Sequence, residues 1–165
     1  MNSNELLIAS DHAGFELKEK LEAWLREQGY SVTDLGTGNT DSTDYPDYAH
    51  PLAQRVSDGS AARGIQLCGT GLGMSYVANR YPHVRAAVAW SPEIAELARR
   101  HNDANVLALP ARFLSEAEAR QILRTWLETP FEHGRHERRV EKIERNSREA
   151  PGVHNEIRNE ATETR

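Results

Sequence analysis

The sequence predicts an α/β fold: a doubly wound, five-stranded parallel sheet in a Rossmann-like three-layer arrangement, with a helix added at its C-terminal end. Three observations predict it. Short apolar runs alternate with stretches of helical periodicity. Each run is brief and bounded by glycine, serine or proline, as strands and helix caps are. Each run is also followed by a helix, which implies parallel strands covered on both faces.

The elements follow in order. Leu6 to Ala9 reads as the first strand, ending in Ser10-Asp11-His12-Ala13-Gly14. The first helix carries Leu17, Leu21, Trp24, Leu25 and Gln28 on one face, with Gly29 past its end as a C-terminal cap. Ser31 to Leu35 is the second strand, closed by Gly36-Thr37-Gly38. Asp41 to Tyr48 is polar and turn-like, and a helix starts near Pro46. Ile65 to Cys68 is the third strand, followed by a glycine-rich turn and a helix over Met74 to Arg80. Arg85 to Trp90 is the fourth strand, and Ser91-Pro92-Glu93 is a helix start with serine as N-cap. Ile94, Leu97 and Ala98 are the expected buried stripe of that helix. Val106 to Leu109 is the fifth strand, and Ser115-Glu116-Ala117-Glu118 reads as a capping box. Ala119, Ile122, Leu123, Trp126 and Leu127 line one face of the helix that follows. Gly134 to Arg145 reads as the added helix, with few apolar residues. Residues 1–146 form one domain, and 147–165 read as a polar, frayed tail.

Bulk properties exclude several classes of function. Among 165 residues, 38% are hydrophobic and 27% charged, as in a soluble globular chain. No apolar run approaches the roughly 20 residues that span a bilayer, and Met1 to Glu5 lacks the basic and apolar parts of a secretion signal. The single cysteine fits a reducing cytoplasm. A net charge of −5 gives no general attraction to nucleic acid. Arg135, His136, Arg138, Arg139, Lys142 and Arg145 nonetheless cluster. They suggest a local anion site, although a solvated helix face paired with Glu137, Glu141 and Glu144 is the simpler reading of charge alone.

Open parallel sheets bind ligands beyond the carboxyl ends of their strands. That rule gathers Asp11, His12, Gly36, Thr37, Cys68, the loop Gly69 to Gly73 and Arg112 at one rim. A thiol above a glycine turn and a helix N-terminus suits an anionic ligand and a thiolate, yet a lone cysteine is as often a buried structural residue. Carboxylate, imidazole, thiol and hydroxyl together suit proton transfer beside a carbonyl, with N–H donors holding an enediolate. Acyl transfer by a cysteine nucleophile would use the same groups. A thiol phosphatase would need an arginine where Met74 stands, and neither a dinucleotide fingerprint nor a P-loop lysine follows Gly71-Leu72-Gly73. His101-Asn102-Asp103 precedes the fifth strand, so it faces away from its own rim. It is either a helix C-terminus favoured by the dipole or a group that reaches a neighbouring subunit's pocket.

Six segments occur in order: Ser10-Asp11-His12-Ala13-Gly14-Phe15, Thr43-Asp44-Tyr45-Pro46, Cys68-Gly69-Thr70-Gly71-Leu72-Gly73, Ala78-Asn79-Arg80, His101-Asn102-Asp103-Ala104-Asn105-Val106-Leu107 and Gly134-Arg135-His136-Glu137-Arg138-Arg139-Val140. Over about Leu6 to Ile143 the chain resembles the type B ribose-5-phosphate isomerases, in the family that includes galactose-6-phosphate isomerase subunits. The resemblance implies interconversion of ribose 5-phosphate and ribulose 5-phosphate, in the pentose phosphate pathway, without metal or organic cofactor. It implies Cys68 as the base, Thr70 as proton shuttle, and Asp11 and His101 in ring opening. Asn102 and Tyr45 would hold sugar hydroxyls, and His12, Arg112, Arg135 and Arg139 the phosphate. Gly69, Gly71 and Gly73 belong to a loop that would hold the enediolate rather than the phosphate. One branch of the family replaces the cysteine with a glutamate, at the position of Met74 here, so this chain follows the cysteine branch. The expected assembly is a homodimer, with pairing to a tetramer left open. Isomerisation of allose or galactose 6-phosphate, and non-catalytic binding of a sugar phosphate, are the alternative readings.

Overall fold

The computed structural model describes residues 4–144, and the expected tail lies outside them. The strands are β1 (Glu5–Ser10), β2 (Ser31–Asp34), β3 (Gly64–Cys68), β4 (Ala86–Val88) and β5 (Val106–Pro110). All pairings are parallel, in the order β2-β1-β3-β5-β4. The helices are α1 (Phe15–Glu27), α2 (Pro46–Ser57), α3 (Leu72–Ala78), α4 (Pro92–Asn102), α5 (Glu116–Glu128) and α6 (Arg135–Ile143). The doubly wound sheet and the added terminal helix are therefore as the sequence predicts.

Period-two alternation divides each central strand between two cores. Leu6 and Ile8 of β1, Ile65 and Leu67 of β3, and Leu107 and Leu109 of β5 face α1, α4 and α5, where Leu21, Trp24, Ile122 and Trp126 meet them. Leu7, Ala9 and Val106 face the other way, against Leu52, Ala53 and Val56 of α2. Gln66 and Cys68 share that second face, and Cys68 packs with Ala49, Met74 and Val77. Strands buried on both sides read as mostly apolar runs, with Gln66 the polar exception inside β3, which is why β1, β3 and β5 are legible.

Caps set the helix ends. Ser91 accepts a hydrogen bond from the Ile94 N–H, and Ser115 and Glu118 close a full capping box. Three expectations change. The helix after the glycine turn begins at Leu72 rather than Met74. The fourth strand shrinks to the edge triplet Ala86–Val88. In α4 the buried face is Ala95, Ala98 and Arg99, with Ile94 only flanking the core and Leu97 41% exposed. α4 packs against α5, and small side chains let the helices approach. Among the described residues, no helix is long and apolar enough to cross a membrane.

Candidate active site

The carboxyl ends of β1, β3 and β5 meet at a cleft of about 200 Å³. Asp11, His12 and Ala13 follow β1; Cys68, Gly69, Thr70 and Gly73 follow β3; Arg112 follows β5; and Tyr45 leans in from the start of α2. The sheet order explains the place. The chain leaves β1 toward β2 on one side and returns through β3 on the other, opening a crevice at the reversal.

Each side chain is held by local geometry. The Asp11 N–H donates to the Leu67 carbonyl, tying the turn to β3. Asp11 Oδ1 accepts from the N–H groups of Ala13 (2.9 Å) and Gly14 (3.2 Å), so one carboxylate oxygen closes the entry to α1. Asp11 is only 6% exposed. Gly14 admits no side chain, because a Cβ there would sit 2.8 Å from the Leu67 carbonyl oxygen. His12 Nδ1 lies 3.1 Å from the Thr43 amide nitrogen and 3.2 Å from the Thr43 carbonyl oxygen, so the Thr43 backbone orients the ring.

Cys68 ends β3, is 5% exposed and carries a free thiol. Its sulfur accepts a hydrogen bond from the Gly71 N–H at 3.2 Å. Gly71 has φ 73°, the left-handed conformation that glycine adopts without strain. Thr70 Oγ1 accepts from the Leu72 N–H at 3.3 Å, at the start of α3. The Tyr45 ring lies against Gly73, where an added Cβ would meet Cζ at 2.7 Å. The Arg112 guanidinium crosses Gly69, and the Arg112 backbone N–H donates to the Gly69 carbonyl. No carboxylate pairs with Arg112 among the described residues, so its charge is open to a ligand.

Two predicted members of the rim are elsewhere. Thr37 is buried, and its N–H donates to the Ser10 carbonyl. Gly36 packs so closely on Ser10 that a Cβ would lie 2.5 Å from its amide nitrogen. Both support the β1 end from behind rather than line the cleft.

His101, Asn102, Arg135 and Arg139 do not line this cleft either. They gather where the C-terminus of α4 meets α6, on the amino-end side of β5. His101 and His136 stack with ring centroids 4.2 Å apart and planes within 6°. Arg100 pairs with Glu132 at 3.0 Å. Arg85 Nε donates to the carbonyls of Asn102 (3.1 Å) and Asp103 (3.0 Å), and its guanidinium pairs with Asp103 and, at 3.5 Å, with Glu144 just past α6. Both ends of α6 are thereby tied to the end of α4. The sequence named His101, Asn102, Arg135 and Arg139 but not Arg85, Glu132 or the burial of His136. No spacing rule marks those three, because their partners are distant in the chain.

Elsewhere, a depression of about 690 Å³ lies between β2 and α2, lined by Ser31, Thr33, Gln54 and Arg55 among others. It is larger than the cleft but brings no thiol, imidazole or glycine turn together. Size is therefore a poorer guide here than chemistry.

The chain is similar to known proteins over most of its length. A family model described as Ribose/Galactose Isomerase matches residues 6–143. Ribose-5-phosphate isomerase B of Escherichia coli (strain K12) is 43% identical over 139 residues, covering 84% of this chain and 93% of its own length. A crystal structure of a ribose 5-phosphate isomerase from Thermotoga maritima shares 52% identity with a TM-score of 0.83, over 85% of this chain and 97% of that one. Ribose-5-phosphate isomerase B from Mycoplasma genitalium, solved with bound ribulose 5-phosphate, shares 41% identity with a TM-score of 0.84, over 88% and 97% of the two chains. On the match across nearly the whole described fold, the chain belongs to the ribose/galactose isomerase family.

Proposed function

We propose that the chain is an aldose-ketose isomerase that interconverts ribose 5-phosphate and ribulose 5-phosphate, a step of the pentose phosphate pathway. The observation that carries this reading is the Cys68 thiol at the floor of a cleft that also holds a carboxylate, a hydroxyl and an unpaired guanidinium. That set suits removal of a carbon-bound proton beside a carbonyl.

In the proposed sequence, Asp11 and His101 move protons between the anomeric hydroxyl and the ring oxygen, and the C1–O4 bond breaks to give the aldehyde. Cys68, as thiolate, takes the proton from C2. Charge develops on O1 of the enediolate, toward the backbone N–H groups of Gly69 to Gly73. Thr70 helps the O2 proton pass to O1, and the Cys68 thiol returns its proton to C1. Tyr45 and Asn102 hold hydroxyls; His12, Arg112, Arg135 and Arg139 hold the phosphate. The reaction as written requires no metal or organic cofactor.

His101, Asn102, Arg135 and Arg139 enter this scheme from a second copy of the chain. A C2 dimer exchanges such groups reciprocally, completing two pockets at once. Leu72, Tyr76, Trp90 and Phe113 support that assembly: they are 46 to 72% exposed, and they sit on α3 and after the carboxyl ends of β4 and β5. A cleft of about 200 Å³ is also small for a sugar phosphate. The free thiol suits a reducing compartment, so the reading places the enzyme in the cytoplasm.

Turnover measured with ribose 5-phosphate, ribulose 5-phosphate and allose 6-phosphate tests the reading. The pentose phosphates should be converted, with the hexose phosphate slower. Faster conversion of allose 6-phosphate would make it a hexose-phosphate isomerase. Binding of all three without conversion would make it a sugar-phosphate sensor.

A further inference from the structure

His136 differs from the basic residues around it. It is 5% exposed, whereas Arg135, Arg138 and Arg139 are exposed. Its ring lies flat on that of His101, and its Nε2 faces the Arg135 Nε at 3.5 Å. A nitrogen placed to accept from a guanidinium carries no proton, so the ring is the neutral Nδ1–H tautomer. Burial, then the nearby positive groups His101, Arg135 and Arg139, hold its pKa below the usual histidine value, against the opposing charge of Glu132. Glu132 is itself engaged by Arg100 and lies 3.9 Å from His101 Nε2.

The donor atoms of His101, Glu132 and His136 fall within 4.8 Å of one another, close enough to suggest a metal centre. The ring geometry argues against it. A metal lies in the plane of each imidazole that binds it, and two parallel planes stacked face to face share no such point. The arrangement instead restrains one ring with another. His101 sits on the last turn of α4, where its half-buried ring would otherwise sample several rotamers.

We propose that His136 is a positioning residue for ring opening: by stacking on His101 it fixes the plane in which that imidazole enters the neighbouring subunit's pocket. This rests on the isomerase reading above. α6 also carries Arg135 and Arg139, so the same stack sets the distance between the ring-opening group and the phosphate grip.

The test separates ring opening from proton abstraction. Ribulose 5-phosphate cannot close a furanose ring, because its C5 oxygen carries the phosphate. Exchange of its C1 proton with solvent deuterium therefore reports Cys68 chemistry alone. His136→Asn should slow conversion of ribose 5-phosphate by about tenfold or more while exchange stays within about threefold of wild type. His101→Asn should show the same signature, and the double variant should be no slower than His101→Asn alone. His136→Phe, which keeps a flat face, should retain more turnover than His136→Asn. Thermal melting checks folding, and His136→Gln replaces any Asn variant that does not fold. Equal loss of exchange and conversion, additive losses in the double variant, or wild-type conversion by His136→Asn would each overturn the proposal. No conversion by the wild-type chain would instead remove the isomerase reading itself.

Discussion

The Gly71 N–H donates to the Cys68 sulfur across 3.2 Å, from a residue at φ 73°. The turn thus aims a backbone donor at the one thiol of the chain, and a side chain at Gly71 would strain it. Cys68→Ser should keep the turn and lose the base. A serine hydroxyl is far too weak an acid to be ionised near neutral pH, so turnover should fall by at least about a hundredfold. Calorimetric affinity for ribose 5-phosphate should persist. Near-normal turnover would remove Cys68 from the mechanism.

Gly73→Ala should act through Tyr45. The new methyl group would overlap the far end of the Tyr45 ring, which can swing away without disturbing the backbone. Melting temperature should therefore change little, while KM for ribose 5-phosphate rises by about tenfold, the worth of one displaced hydrogen bond. A large drop in melting temperature would mean that Tyr45 cannot move.

Arg139→Ala should chiefly weaken binding of phosphorylated sugars. A charge-assisted hydrogen bond is worth roughly 1.5–3 kcal/mol, so affinity should fall by roughly ten- to a hundredfold. Inorganic phosphate should inhibit the wild type more strongly than the variant. Equal inhibition of both would place the phosphate elsewhere.

Subunit exchange tests the shared pocket. Cys68→Ser and His101→Ala should each be inactive alone. Mixed and allowed to exchange, they should form heterodimers in which one pocket carries both lesions and the other carries neither. Turnover should then recover, with exchange followed by mass. Confirmed exchange without recovery would assign His101 to its own subunit or to no catalytic role.

Lys18 is a buried cation that the apolar pattern of α1 does not reveal. Its Nζ binds Glu19 at 2.7 Å and also Asp34 of β2, with the side chain fully buried. Burial disfavours its charge, but the hydrogen bonds to Asp34 and Glu19 prevail and raise its pKa above 10.5. A raised folded-state pKa stabilises the fold fully at lower pH, and the contribution fades as pH climbs through that value. Lys18→Met should cost about 1.5–3 kcal/mol at neutral pH, since both acids can rehydrate. The gap between the two proteins in urea melts should narrow above pH 10.5. A constant gap would mean that packing, not the ion pairs, carries the effect.

Sequence by itself determined the elements whose signals are local. Leu6 to Ala9 and Val106 to Leu109 are unbroken apolar runs, and Ile65 to Cys68 is interrupted only by the buried Gln66, because both faces of those strands are covered. Ser91 and Ser115 mark their helices because an N-cap needs only the next turn of backbone. Asp11, Cys68 and the glycine turn were placed together because the sites after parallel strands share one edge. The motifs also carried the family, which the comparisons show.

Tertiary structure decided what depends on partners distant in the chain. Rotation of α4 about its axis put Leu97 outside and Ala95 inside, set by the close approach of α5 rather than by periodicity. Thr37 turned from the rim to the interior because Gly36 packs on Ser10. Above all, the seam between α4 and α6 joined His101 to His136 and Arg85 to Glu144, contacts of 35 and 59 residues' separation that no local pattern encodes. Local propensity chooses the elements, but the orientation of a side chain is settled only when a second surface packs against it.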